Sequence, residues 1–115
     1  PNYIHTDQDM GAWTGILYLN PDPAHGDGTT FWERKATKER TSTASTMDEC
    51  LPEWLAWRDC DQWEPWQTVT AKFNRMVLFP AECFHSRALF DNYGSTATEA
   101  RLIQVLFGGS SVRRY

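Results

Sequence analysis

Short runs of branched and aromatic residues, each cut off by turn-forming residues, are what most narrows the folds open to this chain. Residues 12 to 20 carry Trp13, Ile16, Leu17, Tyr18 and Leu19 between Gly11 and Asn20-Pro21, and read as a buried strand. Pro21, Pro23, Gly26 and Gly28 make the next stretch a turn, which Thr29 to Trp32 leaves as a short strand. Thr68 to Phe73 and Met76 to Phe79 read as strands joined tightly at Asn74-Arg75. Pro80-Ala81-Glu82 turns the chain, Cys83 to Arg87 is another short strand, and Arg101 to Phe107 is the last, ended by Gly108-Gly109. Taken alone, this pattern predicts a mainly β sandwich or barrel.

The middle of the chain departs from it. From Glu33 to Thr46 the residues are Lys, Arg, Thr and Ser with almost no large apolar groups, the composition of a mobile surface loop. Thr46-Met47-Asp48-Glu49 has the form of a capping box and Pro52 suits a first helical turn, so a short helix is expected from there to about Asp61. Trp54 and Trp57 would share one of its sides, with Trp63 and Trp66 following in an irregular segment. Trp13 and Trp32 suit a β core. The other four tryptophans call for a satellite core packing the helix on the sheet, or else form an aromatic wall facing a substrate. His25, among Pro, Asp and Gly, reads as solvent-exposed, and the polar stretch from Asp91 to Thr98 as a loop over the mouth of a site.

At 115 residues the chain is one domain, with a single core. Its 41% hydrophobic and 23% charged residues are those of an ordinary globular protein. Its longest apolar stretches are far short of a membrane span and no basic-plus-apolar leader opens it, so the cytoplasm is the default location. A net charge of -4 argues against a general grip on nucleic-acid phosphates. Cys50, Cys60 and Cys83 match no zinc-finger spacing and read as reduced thiols, with a Cys50-Cys60 bridge as the alternative.

His5-Thr6-Asp7 and the distant His85 carry the chemistry. Alternate side chains of a strand share a face, so His5 and Asp7 project together, and His85 completes two imidazoles and one carboxylate. That is the ligand set of a non-heme Fe(II) site with coordination positions left open. Arg101 lies within the apolar run Ala100-Arg101-Leu102-Ile103-Gln104-Val105, where a buried guanidinium calls for an anion. Planar, two-pronged donors suit a carboxylate better than a lysine does.

These residues, in this order with Gly15 to Pro21, Lys72 to Phe79 and Phe84-His85-Ser86, resemble the catalytic core of the Fe(II)/2-oxoglutarate-dependent oxygenases, in the prolyl-hydroxylase-like branch and closest to uncharacterised phage and bacterial members. The resemblance covers most of the chain apart from an insertion at about 34–66. It implies a double-stranded β-helix (a jelly roll, cupin-like) with one short helical insertion, in a single core domain over 1–115 truncated at its N-terminal side. It also implies Fe(II) held by His5, Asp7 and His85, and 2-oxoglutarate as cosubstrate, decarboxylated to succinate while a C–H bond of a small molecule or peptide is hydroxylated. Having Asp7, where related halogenases bind chloride, favours hydroxylation over chlorination. Arg101 matches the family's partner for the far carboxylate of 2-oxoglutarate, and Tyr18 the tyrosine that shares it. Asn74, within Phe73-Asn74-Arg75, is expected to stabilise a turn beside the cosubstrate, with Arg75 lining the site. Gln104, placed on the strand face of Arg101, is expected to contact the ligand or support a histidine.

Two other functions fit the same residues. One is a cupin-like metalloprotein that does not use 2-oxoglutarate, selected by metal binding without response to that acid. The other is a non-catalytic jelly-roll binding domain, selected by stable folding without metal.

Overall fold

The computed structural model describes residues 4–21, 27–42, 62–88 and 101–109. Among these lie six strands: β1 (Trp13–Tyr18), β2 (Thr29–Arg34), β3 (Trp63–Val69), β4 (Met76–Pro80), β5 (His85–Arg87) and β6 (Ile103–Gly108). They form two antiparallel sheets, β4-β1-β6 and β3-β2-β5. The protein is therefore mainly β. The expected helix, the loop at 91–98, His25, Cys50, Cys60, Trp54 and Trp57 lie outside the described residues. Among the described residues no helix is long and apolar enough to cross a membrane.

The first sheet has no charged residue in any of its strands. Alternation sends Thr14, Ile16 and Tyr18 of β1 inward with Val77 and Phe79 of β4 and Ile103 of β6. There Ile16, Tyr18 and Phe79 meet Phe31 of β2 and Ala71, with Val69, Val77, Cys83 and Ile103 at the margin. Phe79 sits edge-on to Phe31, ring centroids 5.0 Å apart, which ties the two sheets together. The second sheet carries charge on its strands. Its other face holds a smaller cluster of Ile4, Trp63 and Phe84 with Trp32 against it, capped by the Arg34 guanidinium 4.7 Å from the Trp63 ring.

Several sequence expectations change here. Trp63 and Trp66 belong to β3 and not to an irregular segment, because β2 offers a partner along its whole length, with a bulge between Phe31 and Trp32. The stretch before β4 makes no hairpin with it: β3 and β4 lie in different sheets, and residues 70–75 cross between them. That crossing is fastened to the end of β1, where Asn74 N donates to Tyr18 O and Tyr18 N donates to Arg75 O. Trp13 is 39% exposed on the outer face of the first sheet and forms no part of the core. The supposed loop after Glu33 starts as β2, and its Thr41 bridges to Cys83.

Gly28 is needed where β2 begins. A Cβ there would lie 1.8 Å from the carbonyl oxygen of Val69 and 2.7 Å from the amide of Ala71, both backbone atoms that cannot step aside. Gly28→Ala is expected to lower the unfolding free energy by about 1–3 kcal/mol or more, measured by urea denaturation.

Candidate metal centre

His85 pairs with Phe31 of β2 on one side and with His5 on the other. His5 N donates to His85 O at 2.9 Å, and His85 N donates to His5 O at 3.0 Å. Residues directly opposed across an antiparallel pair project to the same face, so the backbone alone sets the two imidazoles side by side. Their ring centroids are 4.3 Å apart. Asp7 returns to that face two residues later, its amide anchored on Ala81 O at 2.8 Å.

The three side chains converge. His85 Nε2 lies 3.1 Å from Asp7 Oδ2, His5 Nε2 lies 3.6 Å from Asp7 Oδ1, and one ligand atom from each residue falls within 4.8 Å of the others. Two donors at right angles about a first-row metal ion, each about 2.1 Å from it, stand about 3.0 Å apart. The orientation of His85 agrees with ligation. Its Nδ1 is 2.9 Å from Cys83 O, and because a carbonyl only accepts, Nδ1 carries a proton and Nε2 is presented to Asp7. A bare nitrogen facing a carboxylate oxygen is repelled unless a cation, proton or metal, lies between them. The residues present therefore fit a divalent metal.

Neighbours fix these donors. Thr14 Oγ1 donates to Asp7 Oδ2 at 3.2 Å. Phe79 packs edge-on to the His85 ring with centroids 4.7 Å apart, and Phe31 lies at 6.4 Å. Burial by itself would push the Asp7 carboxyl up. With a proton in place of a metal on each imidazole, the His85 hydrogen bond, the charges of His85 and His5, and the Thr14 hydroxyl outweigh it, holding Asp7 below its ordinary value of 3.8.

A cavity of about 430 Å³ opens in front of the donors, with Ile16, Ile103, Val105 and Phe107 as its apolar wall. Pairing orders its length. Thr14 opposes Phe107 at the Asp7 end, Ile16 opposes Val105 at the middle, and Tyr18 opposes Ile103 at the far end. In the other sheet Phe31 opposes His85 and Thr29 opposes Arg87. At the far end Arg101 Nη2 donates to Gly28 O at 3.2 Å, and its Nε lies 3.6 Å from Asp27 Oδ2. Arg87 Nε donates to the same Asp27 oxygen.

Thus His5, Asp7, His85 and Arg101 come together around one cavity, while three other predicted site residues stand apart from its lining. Tyr18 is buried in the core with its hydroxyl 2.6 Å from Thr29 Oγ1. Burial pushes that hydroxyl above its ordinary value of 10.0, against the Thr29 hydrogen bond and the Arg101 charge. Gln104 is exposed on the opposite face of β6, because three positions separate it from Arg101 and a strand repeats every two. Asn74 is an exposed turn residue at φ 64°, a left-handed conformation asparagine tolerates, and Arg75 donates to Thr70 O at 2.8 Å. Sequence reasoning missed Thr14, Asp27 and Arg87. The same two-residue rule that paired His5 with Asp7 pairs His85 with Arg87. Cys83 is a free thiol, pushed up by burial and by Glu82.

Fold and site define a two-sheet β protein with a His/Asp/His donor cluster and a cationic far end to its cavity. The chain belongs to the family of unknown function DUF6445, which it matches over residues 2–103. That description assigns no activity, so the chemistry rests on the site. No curated protein and no solved structure matches the chain.

Tyr18→Phe removes one buried hydroxyl pair and is expected to cost about 1 kcal/mol in urea denaturation. Asp7 supplies a pH dependence of known sign: a carboxyl lowered on folding stabilises the protein above 3.8, and that contribution is lost as pH falls through the lowered value. Acid unfolding of metal-free Asp7→Asn should accordingly show a shallower loss of stability below about pH 4 than the parent.

Proposed function

We propose that this protein is an Fe(II)/2-oxoglutarate-dependent oxygenase that hydroxylates a small molecule or a peptide side chain. The observation that carries the reading is the convergence of His5, Asp7 and His85 within 4.8 Å at one end of a cavity whose other end presents Arg101. Bound Fe(II) and 2-oxoglutarate would supply the activation of dioxygen, with decarboxylation of the acid to succinate. The chain's own residues do the rest. His5, Asp7 and His85 would hold the ion, and three protein donors would leave it room for exchangeable ligands. Cys83 O and Thr14 Oγ1 keep two of those donors aimed. Arg101 would meet the far carboxylate, and Ile16, Ile103, Val105 and Phe107 give the cavity an apolar wall.

The chain path supports the same reading. Strand β1 lies in the first sheet, β2 and β3 in the second, then β4, β5 and β6 alternate between them, and the His5 segment adds to the free side of β5. Such alternation between two sheets supports the jelly-roll path, and with it the double-stranded β-helix that the resemblance implies. A cytoplasmic location goes with this reading, and the free thiol of Cys83 agrees with a reducing compartment.

The test is spectroscopic. Under anaerobic conditions, addition of both Fe(II) and 2-oxoglutarate should produce a visible charge-transfer band that neither produces alone. His85→Ala should abolish it, and Arg101→Ala should raise the 2-oxoglutarate concentration it needs by about tenfold or more. Folded protein that binds Fe(II) and yields no band contradicts the proposal.

A further inference from the structure

We infer that Arg87 is a second cation at the far end of the cavity, and that buried Asp27 positions Arg87 and Arg101 together to grip the far carboxylate of a short 2-oxo diacid. The inference rests on the proposed function and names a binding residue that the resemblance does not supply. Arg87 follows His85 by two residues on β5, so both project into the cavity, with Cα atoms about 6.6 Å apart. That spacing suits a ligand only a few carbons long, held at one end by the metal and at the other by a cation.

Arg101 arrives at the same place from the opposite sheet. It lies just before Ile103, which pairs with Tyr18, whose hydroxyl reaches Thr29, the partner of Arg87. Both guanidinium groups turn their Nε toward one Asp27 oxygen, and the Asp27 side chain is 0% exposed. A carboxylate so buried holds its partners firmly, because losing one leaves an uncompensated charge. The two arginine side chains, 15% and 16% exposed, line the cavity in orientations set before any ligand arrives. Tyr18, the other donor expected at this end, is turned to Thr29 and is not part of the lining. Arg87 takes that place.

The experiment is anaerobic calorimetry on the Mn(II)-loaded protein with two ligands: 2-oxoglutarate, which has a far carboxylate, and pyruvate, which lacks it. Arg87→Ala is expected to raise the dissociation constant for 2-oxoglutarate about tenfold or more. Affinities for Mn(II) and pyruvate should stay within about twofold. Arg87→Lys, which keeps the charge and loses the planar fork, should fall between. If Arg87→Ala fails to fold, the double variant Arg87→Met with Asp27→Asn removes the buried pair together and carries the same expectation. Unchanged 2-oxoglutarate affinity in Arg87→Ala beside a loss in Arg101→Ala overturns the inference and leaves the proposed function standing. Equal weakening of both ligands also overturns it, since the effect would not lie at the far carboxylate. A wild-type protein that holds Mn(II) and binds no 2-oxoglutarate overturns the proposed function, and this inference with it.

Discussion

The pair of backbone hydrogen bonds exchanged by His5 and His85 is the contact on which the rest of the site depends. Eighty positions of sequence separate the two residues, and no local preference brings them together. Once the bonds form, strand geometry does the remainder: both imidazoles face the cavity, and Asp7 follows two residues on. Alternation also sends Ile4 the other way, into the cluster with Trp63 and Phe84. The donor segment is thus held by main-chain bonds along its length and by an apolar anchor behind it, so its geometry is set by the fold.

The cavity separates two kinds of chemistry along the strands. Its donor end is built from groups that want a cation between them, with the Asp7 carboxyl held low despite burial. Its far end gathers two arginines on one buried carboxylate. Between them the charge-free sheet contributes Ile16 from β1 with Ile103, Val105 and Phe107 from β6, and Thr14 beside Asp7. The register makes the order of contacts along the cavity definite: Phe31 then Thr29 face His85 then Arg87 on β5, and Thr14, Ile16 and Tyr18 face Phe107, Val105 and Ile103 on β6.

Much of this was legible in the sequence because strand periodicity is strictly local. His5, Asp7, His85 and Arg101 could be chosen from spacing and residue type, and the strands around Ile16, Phe31, Phe79 and Val105 from their branched and aromatic runs. Errors came where a partner elsewhere decided the outcome. Asn74-Arg75 looks like a hairpin, yet β3 prefers the whole length of β2 in the other sheet. Tyr18 looks available for a ligand, yet its hydroxyl meets Thr29. The Gln104 expectation fails for a simpler reason, an odd separation from Arg101. Asp27 sits in a segment whose Pro and Gly content speaks only of a turn, and its burial follows from two arginines that the chain delivers from far away.

The central claim is that His5, Asp7 and His85 share one ion. Anomalous diffraction from crystals soaked in Zn(II), standing in for Fe(II), tests it most directly. The account predicts one strong peak about 2.0–2.2 Å from His5 Nε2, His85 Nε2 and an Asp7 carboxylate oxygen, with further ligands on the cavity side. A fully soaked crystal with no peak among these three atoms, or with zinc bound only at other side chains, would contradict it.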